Sequence, residues 1–409
     1  MSQRVGRMGF CTERLARLDR FLQTRYIETG KLPCAETLIY RHGEIVHRSR
    51  LGLADVERGR PLAEDTLFRI YSMTKPITSV AFMMLVEEGL VALDDPVHRF
   101  IPAWEGLGVY DGGGPGAFRT RPPERPMQMI DLLRHTSGLT YGFQQRTPVD
   151  AAYRARRIGG IAPGGSLEDM ITALADLPLE FSPGTAWNYS VSTDVLGYLI
   201  GKIADKPFED VIQDRILTPL GMKDTGFSVR KGEEGRLAAC YQATADGGFT
   251  LQDDPAASPF LSPPVMASGG GGLVSTTDDY LRFCRMLLQG GVLDGVRLLA
   301  PKTLELMTAN HLPGGKDIHS LSRSMFSEST YAGVGFGLGF ATTLNPALTL
   351  LPGSAGDFFW GGMASTYFWI DPREDMIVLF MSQLIPSSTY PVRRELRTLV
   401  YSALVNTSN

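Results

Sequence analysis

The stretch FRIYSMTKPITSVAFMMLVEEGL, residues 68–90, decides how the rest of the chain is read. Its second half is an apolar run of helix formers too long for a strand, which predicts a buried helix. Proline is tolerated only in the first turn of a helix. Pro76 therefore puts Ser72 at or just before the start, with Lys75 one turn along on the same face. A lysine at the head of a buried helix loses hydration and feels the positive helix terminus. Both effects lower its pKa toward a neutral amine that can take a serine proton. The N–H groups of that terminus can also hold the oxyanion of an acyl-transfer intermediate. The competing reading is structural, with Ser72 as a plain N-cap.

The pattern S-x-x-K alone says little, because 26 serines and 8 lysines in 409 residues supply roughly half a match by chance. A second match, SVRK at 228–231, is followed by GEEGR, which offers no apolar wall to desolvate its lysine. Ser228 and Lys231 read as a solvated surface coincidence.

Composition bounds the function classes. With 43% hydrophobic and 21% charged residues the chain is an ordinary folded protein, and 409 residues suit two domains or one domain with an insertion. A formal charge of −4 without a block of like charge argues against nucleic acid or an anionic membrane as partner. The start, MSQRVGRMGFCTERLARLDRF, has no apolar h-region, and later apolar runs fall short of a spanning helix. The expectation is a soluble, cytoplasmic protein. Cys11, Cys34, Cys240 and Cys284 have no C-x-x-C spacing and read as reduced structural thiols. Histidines 42, 47, 98, 135, 311 and 319 have no metal-binding spacing, so neither metal nor cofactor is expected.

Along the chain, Leu15, Leu18, Phe21, Leu22 and Tyr26 predict a surface helix within 12–29. Residues 36–52 read as a hairpin around His42-Gly43. The tail repeats this character: two strands in 365–383 around Asp-Pro-Arg-Glu-Asp, then a helix over 391–404. A strand pair and a helix at each end predict one antiparallel sheet closed by the two termini. Between about 93 and 227 the pattern is helices joined by Gly/Pro loops, which predicts a helical insertion. The glycines of 268–272 fit no phosphate-loop pattern and read as a tight turn before a helix capped in STTDD, 275–279.

An acyl-transfer site also needs a proton shuttle and a second oxyanion donor. In FSPGTAWNYSVSTDVLGYLIGKI, 181–203, Tyr189 stands in a loop just before a helix that starts near Ser192, although a packing role fits it as well. Trp360-Gly361-Gly362 directly precedes a strand, where bare backbone can approach a ligand or form a bulge.

Taken together, Ser72-Met-Thr-Lys75, Tyr189-Ser-Val191 and Trp360-Gly-Gly362 resemble, in order and separation, the family VIII carboxylesterases. These are serine hydrolases with the class C β-lactamase-like fold. LLRHTSGLTYG (132–142), LTPLGMKDTGF (217–227) and GGGGLVSTTDDYLRF (269–283) are similar to the same superfamily. The resemblance runs from about residue 12 to 404. It implies an α+β fold, an antiparallel sheet flanked by helices and built from both chain ends (1–92 and 238–409), with an inserted all-helical domain (93–237). It further implies Ser72 as nucleophile, Lys75 as base and Tyr189 as proton shuttle. The backbone N–H groups of Ser72 and Met363 would form the oxyanion hole. Trp360, Gly361, Gly362 and Val191 would line the substrate site, with Tyr141 and Asp194 as nearby cleft or support positions. G-x-S-x-G is absent, which disfavours a Ser-His-Asp esterase.

The chain departs from the β-lactamase pattern at two polar points: Val191 replaces the asparagine of Tyr-x-Asn, and Trp360-Gly-Gly replaces Lys-Thr-Gly. Exchanging an ammonium for an indole removes a charge-assisted contact to a lactam carboxylate and extends the apolar wall, which favours a neutral ester. The expected activity is hydrolysis of short-to-medium acyl esters, with water or an alcohol as acyl acceptor and slow β-lactam turnover as a side reaction. A β-lactamase, an amidase or peptidase, or an acyltransferase of the same fold are the enzyme alternatives. A non-catalytic scaffold is the remote one. Acyl-chain length should depend on rim loops at 111–126, 144–166, 254–272 and 312–333.

Overall fold

His42 and Gly43 both take left-handed backbone, with φ of 50° and 88°. This is the geometry of a two-residue turn whose twist matches its flanking strands. They close the first hairpin, between β1 (Cys34–Arg41) and β2 (Glu44–Asp55), with Arg41 opposite Glu44. A short β3 (Arg60–Pro61) follows. The computed structural model describes residues 6–159, 164–323 and 331–407.

The remaining strands of the main sheet come from the other end of the chain: β4 (Val334–Phe336), β5 (Ala341–Thr343), β6 (Phe358–Gly361), β7 (Tyr367–Asp371) and β8 (Met376–Met381). The order is β4-β5-β6-β7-β8-β1-β2-β3, with all neighbours antiparallel. The two ends meet at β8 and β1, from Glu36 opposite Met381 to Arg41 opposite Met376.

Both central strands are buried along their whole length, which requires cover on two faces. Helices α1 (Thr12–Leu22), α4 (Thr277–Leu288) and α5 (Val392–Ala403) contribute to that cover, while α2 (Thr74–Glu87) packs on α3 (Ser192–Ala204). Successive strand residues point to opposite faces, and Phe368 and Trp369 of β7 show where each leads. Phe368 meets Tyr280 of α4 at 5.3 Å between ring centroids, whereas Trp369 meets Tyr401 of α5 at 6.3 Å. The terminal helices α1 and α5 pack on each other, as the paired chain ends predict. Leu15, Leu18 and Leu22 form the buried stripe of α1, which continues into a wider turn holding Tyr26.

Residues 93–237 carry α3 and further short helices at Met129–Leu133, Pro148–Ala155, Leu167–Ala175 and Phe208–Ile212. The expectation of an all-helical insert needs correction. Val109–Gly112 pairs antiparallel with Arg119–Arg121, closed by the Tyr110 and Phe118 rings at 5.9 Å. Strands of three or four largely exposed residues are too short for alternation to register in a Gly/Pro-rich stretch. Among the described residues no helix is long and apolar enough to cross a membrane.

Candidate active site

The Ser72 segment begins with a strained residue. Tyr71 holds φ at 42°, a left-handed value costly for a bulky side chain, and leads into a tight turn over Tyr71–Met73 that runs directly into α2. Ser72 is not a cap: the N-cap position of α2 is Met73. Its Oγ instead accepts a hydrogen bond from Lys75 Nζ at 3.1 Å. The competing SVRK stretch lies outside regular structure, with Lys231 exposed.

Lys75 is only 2% exposed, and its amine also donates to Tyr141 Oη at 3.1 Å and to the Gly270 carbonyl at 2.7 Å. Burial pushes its pKa down to about 7, against the opposing pull of the Asp194 charge. At neutral pH a substantial fraction is therefore a free amine, which is what a base for Ser72 must be.

Tyr189 stands over this pair. Lys75 Nζ lies 4.5 Å from the centre of its ring, and its hydroxyl faces Ser72 and receives the Trp360 indole N–H at 3.3 Å. Burial raises the phenol pKa, with Ser72 and Trp360 pulling against it, so Tyr189 keeps its proton at neutral pH. Around it stand His135 at 4.9 Å, Tyr141 at 5.3 Å and Trp360 at 5.4 Å, and Phe336 packs on Trp360 at 5.3 Å. The wall is aromatic, and Phe143, stacked on Tyr141 at 4.8 Å and 52% exposed, extends it to solvent.

The other residues singled out from sequence fall into three places. Tyr141 and Asp194 belong to the lysine's surroundings. Asp194 accepts from Gly270 N at 3.0 Å and from Ser268 Oγ, so its charge sits behind the peptide that holds Lys75. Gly362 and Met363 come up to the Ser72 segment from β6. A Cβ on Gly362 would stand 2.3 Å from the Ile70 carbonyl and 2.2 Å from Thr366 Oγ1, so only glycine lets the strand come this close. Met363 follows, half-buried against the apolar cluster of Tyr71, Cys240, Ala364 and Ile385. Val191 is fully buried, and a Cβ on Gly159 would meet its Cγ1 at 2.2 Å, so it lies beneath the Gly159 backbone.

Sequence reasoning missed the role of the glycine run. Residues 269–272 read as a turn before α4, and Thr276 does cap that helix through Asp279 N. The run is also laced to α2: the Gly269 carbonyl accepts from Thr78 Oγ1 at 2.8 Å, and Gly270 bridges Asp194 to Lys75. A Cβ on Gly269 would stand 2.6 Å from the Thr193 carbonyl, and one on Gly270 2.7 Å from Asp194 Oδ2. Four consecutive glycines were the available signal of close backbone approach. His135 was also missed. It is buried with φ of 57° and contacts Ser190 Oγ through Nδ1 at 3.2 Å, and burial drives its pKa well down, leaving it a neutral packing partner of Tyr189. Of the rim loops, 254–272 reaches the site through Ser268 and Gly270, while residues 160–163 and 324–330 lie outside the described residues. Among the described residues no group of three or more His, Cys, Asp or Glu side chains could hold a metal ion.

The arrangement can generate a serine nucleophile, protonate a leaving group and bind an apolar substrate flank. Comparison with known proteins agrees with that chemistry. The family model described as Beta-lactamase matches residues 18–402. Protein Rv1367c of Mycobacterium tuberculosis is 39% identical over 363 residues, spanning 88% of each chain. Esterase EstB of Burkholderia gladioli is 31% identical over 410 residues, spanning 95% of each. The solved structure of EstCE1, a hydrolase with promiscuous acyltransferase activity, matches with a TM-score of 0.78 at 26% identity, covering 96% of this chain and 99% of its own.

Proposed function

We propose that this chain, which belongs to the beta-lactamase family, is a carboxylic-ester hydrolase acting on short-to-medium acyl esters through a serine acyl-enzyme. The resemblance to family VIII carboxylesterases stands, on the similarity to EstB and EstCE1, and so does the expected α+β, β-lactamase-like fold. The observation that carries the reading is the buried Lys75 amine on Ser72 Oγ beneath the Tyr189 ring.

In this reading Lys75 takes the Ser72 proton as Oγ attacks the ester carbonyl. The N–H groups of Ser72 and Met363 hold the resulting oxyanion. Tyr189 delivers a proton to the departing alkoxide and is resupplied from Lys75. The alcohol leaves, water takes its place, and the same groups run in reverse to free Ser72 and the acid. Tyr141 and Asp194 hold Lys75, Trp360 and the two glycines flank the acyl group, and Val191 supports the floor. The division into a body of 1–92 with 238–409 and an insert of 93–237 belongs to the proposal, as does a cytoplasmic location, which cell fractionation tests.

The indole of Trp360, in place of an ammonium, supports an ester over a lactam carboxylate as the substrate. Purified wild type and Ser72→Ala, each given a chromogenic short-chain ester and a chromogenic cephalosporin, test this. Fast Ser72-dependent ester cleavage with slow or absent cephalosporin cleavage is the expected result. Cephalosporin turnover rivalling the ester rate would make β-lactam hydrolysis the main activity. Acyl transfer to an alcohol is the second reading, supported by the similarity to EstCE1 and scored by adding an alcohol and measuring the new ester.

A further inference from the structure

Arg393 lies in the first turn of α5, behind the end of β6. Its Nη2 donates to the Gly362 carbonyl at 2.7 Å and to the Thr366 carbonyl at 2.9 Å, and its guanidinium lies 5.4 Å from the centre of the Tyr367 ring. Its Nε is buried and has no hydrogen-bond partner among the described residues. A cation is thus directed at two backbone oxygens behind the end of β6.

The Gly362 carbonyl and the Met363 N–H are the two ends of one peptide unit. Amide resonance links them: a charge-assisted bond to the oxygen draws electron density from the nitrogen and makes its N–H a stronger donor. Gly361 makes this approach possible, because a Cβ there would stand 2.6 Å from Arg393 Nη2 and 2.7 Å from its Cζ. The two glycines after Trp360 therefore serve different neighbours, Gly361 the guanidinium and Gly362 the Ser72 segment. The field of Arg393 also reaches the reacting groups. Burial raises the Tyr189 phenol pKa, and the Arg393 charge is among those that pull it back.

We propose that Arg393 is a positioning residue for the oxyanion, fixing and polarising the Gly362–Met363 peptide so that the Met363 N–H binds the negative charge that develops on the ester oxygen. This rests on the assignment of that N–H to the oxyanion hole. It requires no contact between Arg393 and substrate. Its effect belongs to the transition state, where the charge exists, and leaves ground-state binding of a neutral ester almost unchanged.

The test compares wild type, Arg393→Met, Arg393→Lys and Gly361→Ala with p-nitrophenyl butyrate carrying a 13C-labelled carbonyl. Steady-state kinetics are paired with rapid-mixing, isotope-edited infrared spectra of the acyl-enzyme. Loss of a direct oxyanion donor costs about 10²–10³-fold, so loss of a group acting behind the donor is expected to lower kcat about 10–10²-fold, with KM within about threefold. The acyl carbonyl band of Arg393→Met should move up toward that of the denatured acyl-enzyme. Arg393→Lys should recover part of the loss, and Gly361→Ala, which displaces an intact guanidinium, should repeat it. If Arg393→Met fails to fold, the other two variants decide. Unchanged kcat and band position in the folded variants, against a wild-type band already lowered, would overturn the role of Arg393 alone. A wild-type band matching the denatured acyl-enzyme would overturn the oxyanion-hole assignment beneath it.

Discussion

Trp360 donates its indole N–H to the Tyr189 hydroxyl at 3.3 Å, joining a strand end to a loop that lies 171 residues earlier. The indole orients the phenol oxygen and, in the proposed mechanism, would steady it when its proton is passed on, without placing a full positive charge in the cleft. One side chain thus contacts both the proposed proton shuttle and the aromatic wall.

Trp360→Phe should keep the wall and lose the donor. One neutral hydrogen bond is worth roughly 0.5–1.5 kcal/mol, so kcat/KM for a short-chain ester should fall about three- to tenfold. Trp360→Lys should lower ester turnover further and raise the ratio of cephalosporin to ester turnover. Undiminished ester activity in Trp360→Phe would remove the hydrogen bond from the account.

The two S-x-x-K stretches make opposite forecasts. Ser72→Ala should abolish turnover and Ser228→Ala should leave it intact, whereas Lys75→Ala and Tyr189→Phe should each cost on the order of 10²–10⁴-fold. Equal losses at Ser72 and Ser228 in folded proteins would dismiss Ser72 as nucleophile.

The pH profile should show a single acid limb set by Lys75. Its pKa is lowered by burial to about 7, and the base acts only when neutral, so kcat/KM should rise with pH through that value. Asp194 holds the lysine pKa up, so Asp194→Asn should move the limb to lower pH. A limb that stays in place would deny Asp194 that role. Stability carries the same sign. Between about 7 and 10.5 the unfolded chain binds a proton that the folded chain does not, so this group's contribution to stability rises with pH. Lys75→Met should cost activity on the same order of 10²–10⁴-fold and flatten that part of the Tm profile.

Gly362→Ala tests the close approach of β6 to the Ser72 segment. Its Cβ would meet the Ile70 carbonyl at 2.3 Å, so the strand must retreat by a sizeable fraction of an ångström. Misplacement on that scale costs about 10²-fold in rate, and circular dichroism should show the fold retained. Full activity would mean that the Met363 N–H is not part of the reacting geometry.

Much of the architecture was legible because its causes are local. His42-Gly43 forced a turn, the apolar runs on each side made strands, and Leu15, Leu18 and Leu22 made a one-sided helix. The short hairpin at Val109–Gly112 has strands too brief to leave a period, and the glycines of 269–272 read as a turn because their other partners are distant in sequence. His135 and Phe336 could not be told from ordinary core residues, since only the fold brings their rings to Tyr189 and Trp360.

By itself the sequence determined the pairing of Ser72 with Lys75, because one helical turn separates them and Pro76 sets where that turn begins. It also determined the exchange of an ammonium for an indole at Trp360, which is a matter of residue identity. Tertiary structure alone decided the lysine's pKa, through burial and the Asp194 charge from elsewhere in the chain. It also decided which cation stands behind the Gly362–Met363 peptide. Burial and charge proximity depend on how distant segments close on one another, and no local spacing encodes that distance.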